Sequence, residues 1–169
     1  MAELRIDRAV DADWDELWPI WHGIVAAGDT YTYDPATTKD AARRQWLGAA
    51  NAEVWVARLD EVAVGLYKIA PNQAGPGGHV VNGSYMVAPT TRGGGVGRTM
   101  VEHSIERAAE LGYRGIQFNA VAATNVHAIG LYERLGFLTI GVIPGGFRHP
   151  EQGFVDLLIM YRPLPLDAQ

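Results

Sequence analysis

The sequence predicts an α/β (α+β) fold in which helices cover one mixed sheet. Three observations carry this. Segments that alternate apolar and polar residues are interleaved with segments whose apolar residues recur at helical spacing. The order reads strand, two helices, three strands, helix, strand, helix, two strands, which suits one sheet with helices packed against it. Finally, 169 residues with 48% hydrophobic and 20% charged side chains suit one folded domain, taken as residues 1–169.

Leu4 to Ala9 alternates as a short half-buried strand does, and meets the acidic cluster Asp11, Asp13, Asp15 and Glu16. Those carboxylates favour the positive end of a helix, and Trp14, Leu17, Trp18, Trp21, Ile24 and Val25 follow at helical spacing. Gly28 ends that helix. A polar, aromatic connection leads to a second helix over Thr38–Ala49. Glu53 to Leu59 and Val62 to Ala70 alternate around Asp60-Glu61, a hairpin pattern. Pro71 to Gly78 reads as a loop. His79 onward reads as a strand that Pro89 stops, because proline has no N–H for a ladder. A helix bearing Val96, Met100, Val101, Ile105, Ala108 and Leu111 follows, capped by Gly112; then come a strand over Tyr113–Val121 and a helix from Thr124-Asn125 to Gly136. The last two strands are read as Phe137–Ile143 and Phe154–Tyr161, with Pro144-Gly-Gly-Phe-Arg-His-Pro as a loop between them.

Composition removes several functions. A net charge of -5 argues against a nucleic-acid binder, since neutralising phosphates needs a cationic face. Without cysteine there are no disulfides, thiolate metal sites or thiol nucleophile. No His/Asp/Glu spacing matches a metal site. No apolar run approaches the ~18 residues of a membrane span and no apolar stretch follows Met1, so the chain is read as cytoplasmic.

The most informative segment is Val87-Ala-Pro-Thr-Thr-Arg92-Gly-Gly-Gly-Val-Gly97-Arg98, a strand end, a glycine turn and a helix start in succession. Such a turn holds an anion: the first helical N–H groups have no intrahelical acceptor and the helix dipole favours negative charge. Arg92 and Arg98 offer further charge-assisted contacts. The P-loop pattern fails, because Arg92 and Arg98 stand where its first glycine and its lysine belong. The dinucleotide fingerprint fails at Met100.

The pattern that fits is Arg/Gln-x-x-Gly-x-Gly/Ala, with Arg92, Gly95 and Gly97 after Val87-x-Pro89. In it the chain resembles the GNAT superfamily of acetyl-CoA-dependent N-acetyltransferases. The segment Asn125-Val-His-Ala-Ile-Gly-Leu-Tyr132-Glu-Arg-Leu-Gly136-Phe137 is similar to a second motif of that family. The resemblance implies a mixed, mostly antiparallel central sheet of about seven strands flanked by four helices. It also implies acetyl-CoA as cosubstrate, with no metal.

In the family the strands on either side of the turn–helix unit splay apart and the pantetheine arm lies in the gap. Carried over, this implies that backbone groups of Met86 and Val87 pair with the arm and that the Val87 N–H polarises the thioester carbonyl. Arg92, Gly93, Gly94, Gly95, Val96, Gly97 and Arg98 would cradle the pyrophosphate. Asn125 would bond the arm while also capping its helix. Tyr132 reads as a core residue by helical spacing alone, and by resemblance as the general acid that protonates the departing thiolate.

The base stays open at this stage. An alkylamine of pKa ~10.4 must give up a proton near neutrality. Where relatives similar to phosphinothricin-type acyltransferases carry a glutamate, this chain has Asn82, which accepts no proton. The substitutes are a water held by Asn82, Ser84 or Asn119, or the imidazole of His79 or His149; His22, His103 and His127 read as ordinary helix residues. The acceptor is expected over the loop after the first helix and the final hairpin, with Tyr31, Tyr33, Phe147, Arg148 and His149 as exposed candidates and Trp18 and Trp21 as floor or core. The ending Gly146-Phe-Arg-His with Val155-Asp156 is similar to the phosphinothricin-type branch and implies a small, amino-acid-like amine. Family members often dimerise, so a homodimer is expected, without nucleic-acid or membrane partners. Two other readings are a protein lysine or N-terminal acetyltransferase and a non-catalytic acyl-CoA sensor.

Overall fold

The computed structural model describes residues 3–165. Seven strands form one open sheet in the order β1-β2-β3-β4-β5-β7-β6: β1 Leu4–Arg8, β2 Glu53–Leu59, β3 Val62–Pro71, β4 Val80–Val87, β5 Gly115–Ala122, β6 Leu138–His149 and β7 Gly153–Pro163. Every neighbouring pair is antiparallel except β4 and β5. Four α-helices flank the sheet: α1 Trp14–Ala27, α2 Lys39–Trp46, α3 Val96–Glu110 and α4 Val126–Arg134. This is the mixed, mostly antiparallel sheet with four helices that the resemblance implied.

Alternation along the strands sends side chains to two separate cores. On one face Trp14, Leu17, Trp21 and Val25 of α1 and Trp46 of α2 pack on Val54, Val56, Leu66 and Met86. On the other, Met100, Val101 and Ala108 of α3 meet Tyr67, Ile69, Val81, Ile116 and Phe118, and Leu131, Tyr132 and Leu135 of α4 join them. Most of the tryptophan stripe is therefore core, with Trp18 only partly buried.

Local chemistry explains the boundaries. Gly28 closes α1 in a left-handed conformation at φ 68°. The Thr38 side chain caps α2 by accepting from the Ala41 N–H at 3.3 Å, yet the helix ends at Trp46, three residues before its expected end, in a turn through Gly48. Asp60 and Glu61 both take positive φ, the two-residue turn that matches the twist of a hairpin.

The final hairpin corrects one expectation. Pro144 to His149 is not a loop but the second half of β6, and the turn lies at residues 150–152. The register breaks between Ile143 and Phe147, where the proline lacks a donor and Gly145 turns to φ 60° with its N–H on Asp156 Oδ1 at 2.9 Å. β6 is an edge strand, the place where a sheet tolerates proline and a bulge.

Candidate active site

Among the described residues one strand pair is parallel, and it is short. β4 and β5 pair over three rungs, Val80 with Gly115, Val81 with Ile116 and Asn82 with Gln117, and then diverge. Asn82 Nδ2 donates to the Gln117 carbonyl at 3.0 Å, so its side chain adds a last tie at the crotch. The divergence opens a cleft of about 1420 Å³ bounded by the two strands, the glycine turn, α4 and the connection after α1.

Hydrogen bonds show which way the β4 backbone faces. The Asn72 N–H donates to Val80 O and the Ala88 N–H to Val64 O, both at 2.8 Å, so even-numbered residues bond toward β3. Alternation then turns Gly83, Tyr85 and Val87 toward the cleft. Met86 therefore faces Leu66 with its backbone and is 1% exposed, and of the pair Met86 and Val87 only Val87 offers backbone groups to a ligand. The Tyr85 groups are already taken. Its N–H donates to Tyr31 Oη at 2.9 Å, and the Tyr31 hydroxyl donates to its carbonyl.

The glycine turn presents backbone donors to the cleft. Gly93 and Gly95 sit at φ 85° and 82°, which a side chain would strain. The helical ladder of α3 starts only with the Thr99 N–H on Gly95 O at 3.0 Å, so among the described residues the N–H groups of Gly95, Val96, Gly97 and Arg98 find no protein acceptor. Gly94 differs: its N–H closes a turn onto Thr91 O at 3.2 Å, and it does not line the cleft. Arg92 and Arg98 do line it, the latter also paired with Glu102 at 2.8 Å.

Tyr132 projects from α4 into the cleft, its ring 4.4 Å from Phe118 and 6.3 Å from Tyr85. Burial pushes its phenol well above the ordinary value, so it holds its proton at neutral pH, and its oxygen has no protein partner among the described residues. Asn125 caps α4, accepting from the Ala128 N–H at 3.4 Å, and also lines the cleft. Asn119 lines it too, with its amide shared between Asn72 and Gln117.

The remaining candidates divide. Tyr31, Tyr33, Ser84 and His149 line the cleft; His79 and Arg148 do not. His149 Nδ1 accepts from the Glu151 and Gln152 N–H groups, both at 3.2 Å, which ties it to its own turn. Phe147 is not exposed, as its apparent place in a loop implied. It is buried against Ala122 and Leu157, because β6 continues through it and points it inward.

Several groups not proposed from the sequence line the cleft, among them Asp29, Thr30 and Arg134, and so does His127, which the sequence reads as an ordinary helix residue. Asp29 is the one carboxylate among the described residues that line it. The available signal was its position directly after Gly28, where the chain leaves α1 toward the aromatic connection. Among the described residues no group of three or more His, Asp or Glu side chains is placed to hold a metal.

Residues 14–137 match the Acetyltransferase (GNAT) family, and the chain belongs to it. That family is a class of acetyl-CoA-dependent acyltransferases. N-acetyltransferase aca1 of Schizosaccharomyces pombe is 35% identical over 103 residues, which make up 60% of this chain and 49% of that protein. The chain thus matches about half the length of that relative. A GCN5-related N-acetyltransferase from Kribbella flavida has a similar structure, at TM-score 0.92 and 43% identity, over 95% of this chain and 98% of that one. The ribosomal-protein-alanine N-acetyltransferase of Brucella melitensis follows at 0.84 and 28%, over 95% and 99%. A provisionally named phosphinothricin N-acetyltransferase shares the fold at 0.85 and 20%, over 96% and 99%. Among the described residues no helix is long and apolar enough to cross a membrane.

Proposed function

We propose that this chain transfers the acetyl group of acetyl-CoA to the primary amine of a small, amino-acid-like molecule by direct attack within a ternary complex. The observation that carries the reading is the row of N–H groups from Gly95 to Arg98 left without an acceptor among the described residues, on the same cleft as the outward edge of β4 and Tyr132. Pyrophosphate takes the row, with Arg92 and Arg98 beside it, and the pantetheine arm runs along β4 toward Tyr132 with Asn125 on its other side. The outward N–H groups of β4 supply the donor for the thioester carbonyl: that of Val87 is open, that of Tyr85 is held by Tyr31.

The amine nitrogen attacks the carbonyl carbon, and the oxygen gains charge against a backbone N–H. The C–S bond then breaks and the departing thiolate takes the Tyr132 proton. The chain has no cysteine, so no thiol-linked acyl-enzyme intervenes. Asp29 faces the acceptor end, where a carboxylate attracts the ammonium and takes the proton through water. The exposed apolar residues Leu138, Ile140 and Val142 on edge strand β6 support pairing of two copies, and the absence of a membrane-spanning helix among the described residues is compatible with a cytoplasmic place.

Calorimetry with acetyl-CoA tests the cofactor half of the reading, with acetyl-pantetheine, which lacks the pyrophosphate, as control. Binding that is lost with the control is expected, followed by CoA release with amino-acid-like amines. No binding at millimolar acetyl-CoA refutes it. The second reading, acetylation of a protein N-terminus, is favoured by the 28% identity to the Brucella enzyme along nearly the whole chain. CoA release with an Ala-initiated peptide and with no small amine would establish it instead.

A further inference from the structure

Tyr31 sits where no local pattern would place it. Its ring stacks on Tyr33 with centroids 5.8 Å apart, and Tyr33 lies 5.3 Å from the fully buried Trp21. From this aromatic column the side chain reaches into the plane of the sheet, and its hydroxyl holds both cleft-facing groups of Tyr85. Burial raises the phenol well above its ordinary value, so the hydroxyl keeps its proton and both accepts and donates.

Those two groups belong to the row that an extended arm needs. Successive outward residues of a strand repeat about every 6.8 Å. A chain anchored at the glycine turn reaches Val87 first and Tyr85 next. The Tyr85 ring lies 6.3 Å from the ring of Tyr132, so an acyl end placed for protonation of its sulfur by Tyr132 lies level with Tyr85. The Tyr31 oxygen accepts from the Tyr85 N–H as a thioester oxygen would, and one site cannot hold both.

We propose that the Tyr31 hydroxyl is a displaceable occupant of the β4 edge, exchanged for the acyl end of the donor, so that donor binding releases the connection of residues 28–38 above the acceptor end of the cleft. This rests on the acetyl-CoA reading above. Its consequence is an order of events. The connection carries Asp29, Thr30 and Tyr33, all on the cleft, so the acceptor side takes its working form after the donor has arrived. A competing internal ligand also lowers donor affinity by the fraction of time it holds the site.

The test uses Tyr31→Phe, which keeps the ring in its stack, and Tyr31→Leu, which does not. Amide exchange followed by NMR without any CoA comes first: the Tyr85 N–H should be protected in the wild type and exchange roughly two- to tenfold faster in both variants, the factor that corresponds to one hydrogen bond of about 0.5–1.5 kcal/mol. Calorimetry follows, and acetyl-CoA should bind both variants roughly three- to tenfold more tightly than the wild type, once the competing bond is gone. Equal protection of Tyr85 in wild type and variants, or equal or weaker acetyl-CoA binding by the variants, overturns the proposal. Failure of the wild type itself to bind acetyl-CoA refutes the parent reading instead, and the exchange measurement separates the two failures.

Discussion

Glu53 makes a quantitative test of how α3 is held to the sheet. Its carboxylate stands at the start of β2 between two guanidiniums. Arg107 of α3 donates to both oxygens at 2.9 and 3.0 Å, and Arg8 of β1 approaches to 2.7 Å. The carboxylate is 15% exposed. The Arg107 bonds, with Arg8 assisting, lower its pKa from 4.5 to about 2. At about 1.4 kcal/mol per pH unit, that interval corresponds to roughly 3 kcal/mol of folding stability at pH 7. The sign follows from the folded state binding its proton more weakly. The contribution is complete above pH 4.5, falls to roughly 2 kcal/mol at pH 3.5, and disappears as pH drops through 2. Glu53→Gln removes the titrating charge and keeps the shape. Urea denaturation of wild type and variant at pH 7, 5 and 3.5 should show a stability gap near 3 kcal/mol that narrows with acid over this range. A gap that stays constant, or widens as pH falls, would refute the reasoning, because only a carboxylate held ionised by its partners gives this slope.

Four further variants have expected outcomes. Tyr132→Phe should lower turnover by about 10²–10⁴ while leaving acetyl-CoA affinity within a factor of two, read by CoA release and calorimetry; equal turnover removes the acid role. Gly95→Ala forces a side chain into φ 82° and should cost roughly 1–2 kcal/mol of stability and weaken acetyl-CoA binding. Gly97→Ala, whose Cβ would meet Val87 Cγ2 at an ordinary 3.4 Å, should retain the fold within about 0.5 kcal/mol, both compared by thermal melts. Asp29→Asn should raise KM for the amine about tenfold or more with KM for acetyl-CoA little changed, and an unchanged amine KM would exclude Asp29 from acceptor binding.

What could be read in advance was whatever a short stretch of chain encodes by itself. The α1 stripe of Trp14, Leu17 and Trp21, the cap at Asn125 and the glycine turn before α3 each follow from neighbours in sequence. The second half of β6 departs from its local signal for the same reason. Pro144-Gly145-Gly146 has the local chemistry of a turn, and only pairing with β7 makes it a bulge. Phe147 moved from the surface to the interior with that correction. At the site, the turn and Tyr132 lie inside contiguous motifs and were visible. The bond between Tyr31 and Tyr85 joins residues 54 positions apart, so no spacing rule reports it. Asp29 likewise gains significance only because the connection after α1 folds over the cleft.

The three-rung junction between β4 and β5 has a mechanical consequence. It joins two antiparallel halves, β1 to β4 and β5 with β7 and β6, at one end only, with Asn82 as the last tie. The seam is therefore a fulcrum. A small rotation at Val80 to Asn82 is levered into a larger displacement at the far ends of the strands, where Val87 and the glycine turn lie on one jaw and Val121 and Ala122 on the other. Backbone pairing between the two halves is confined to that one line, and beyond Asn82 the jaws are held by side chains, with the rings of Tyr85 and Phe118 lying 5.7 Å apart.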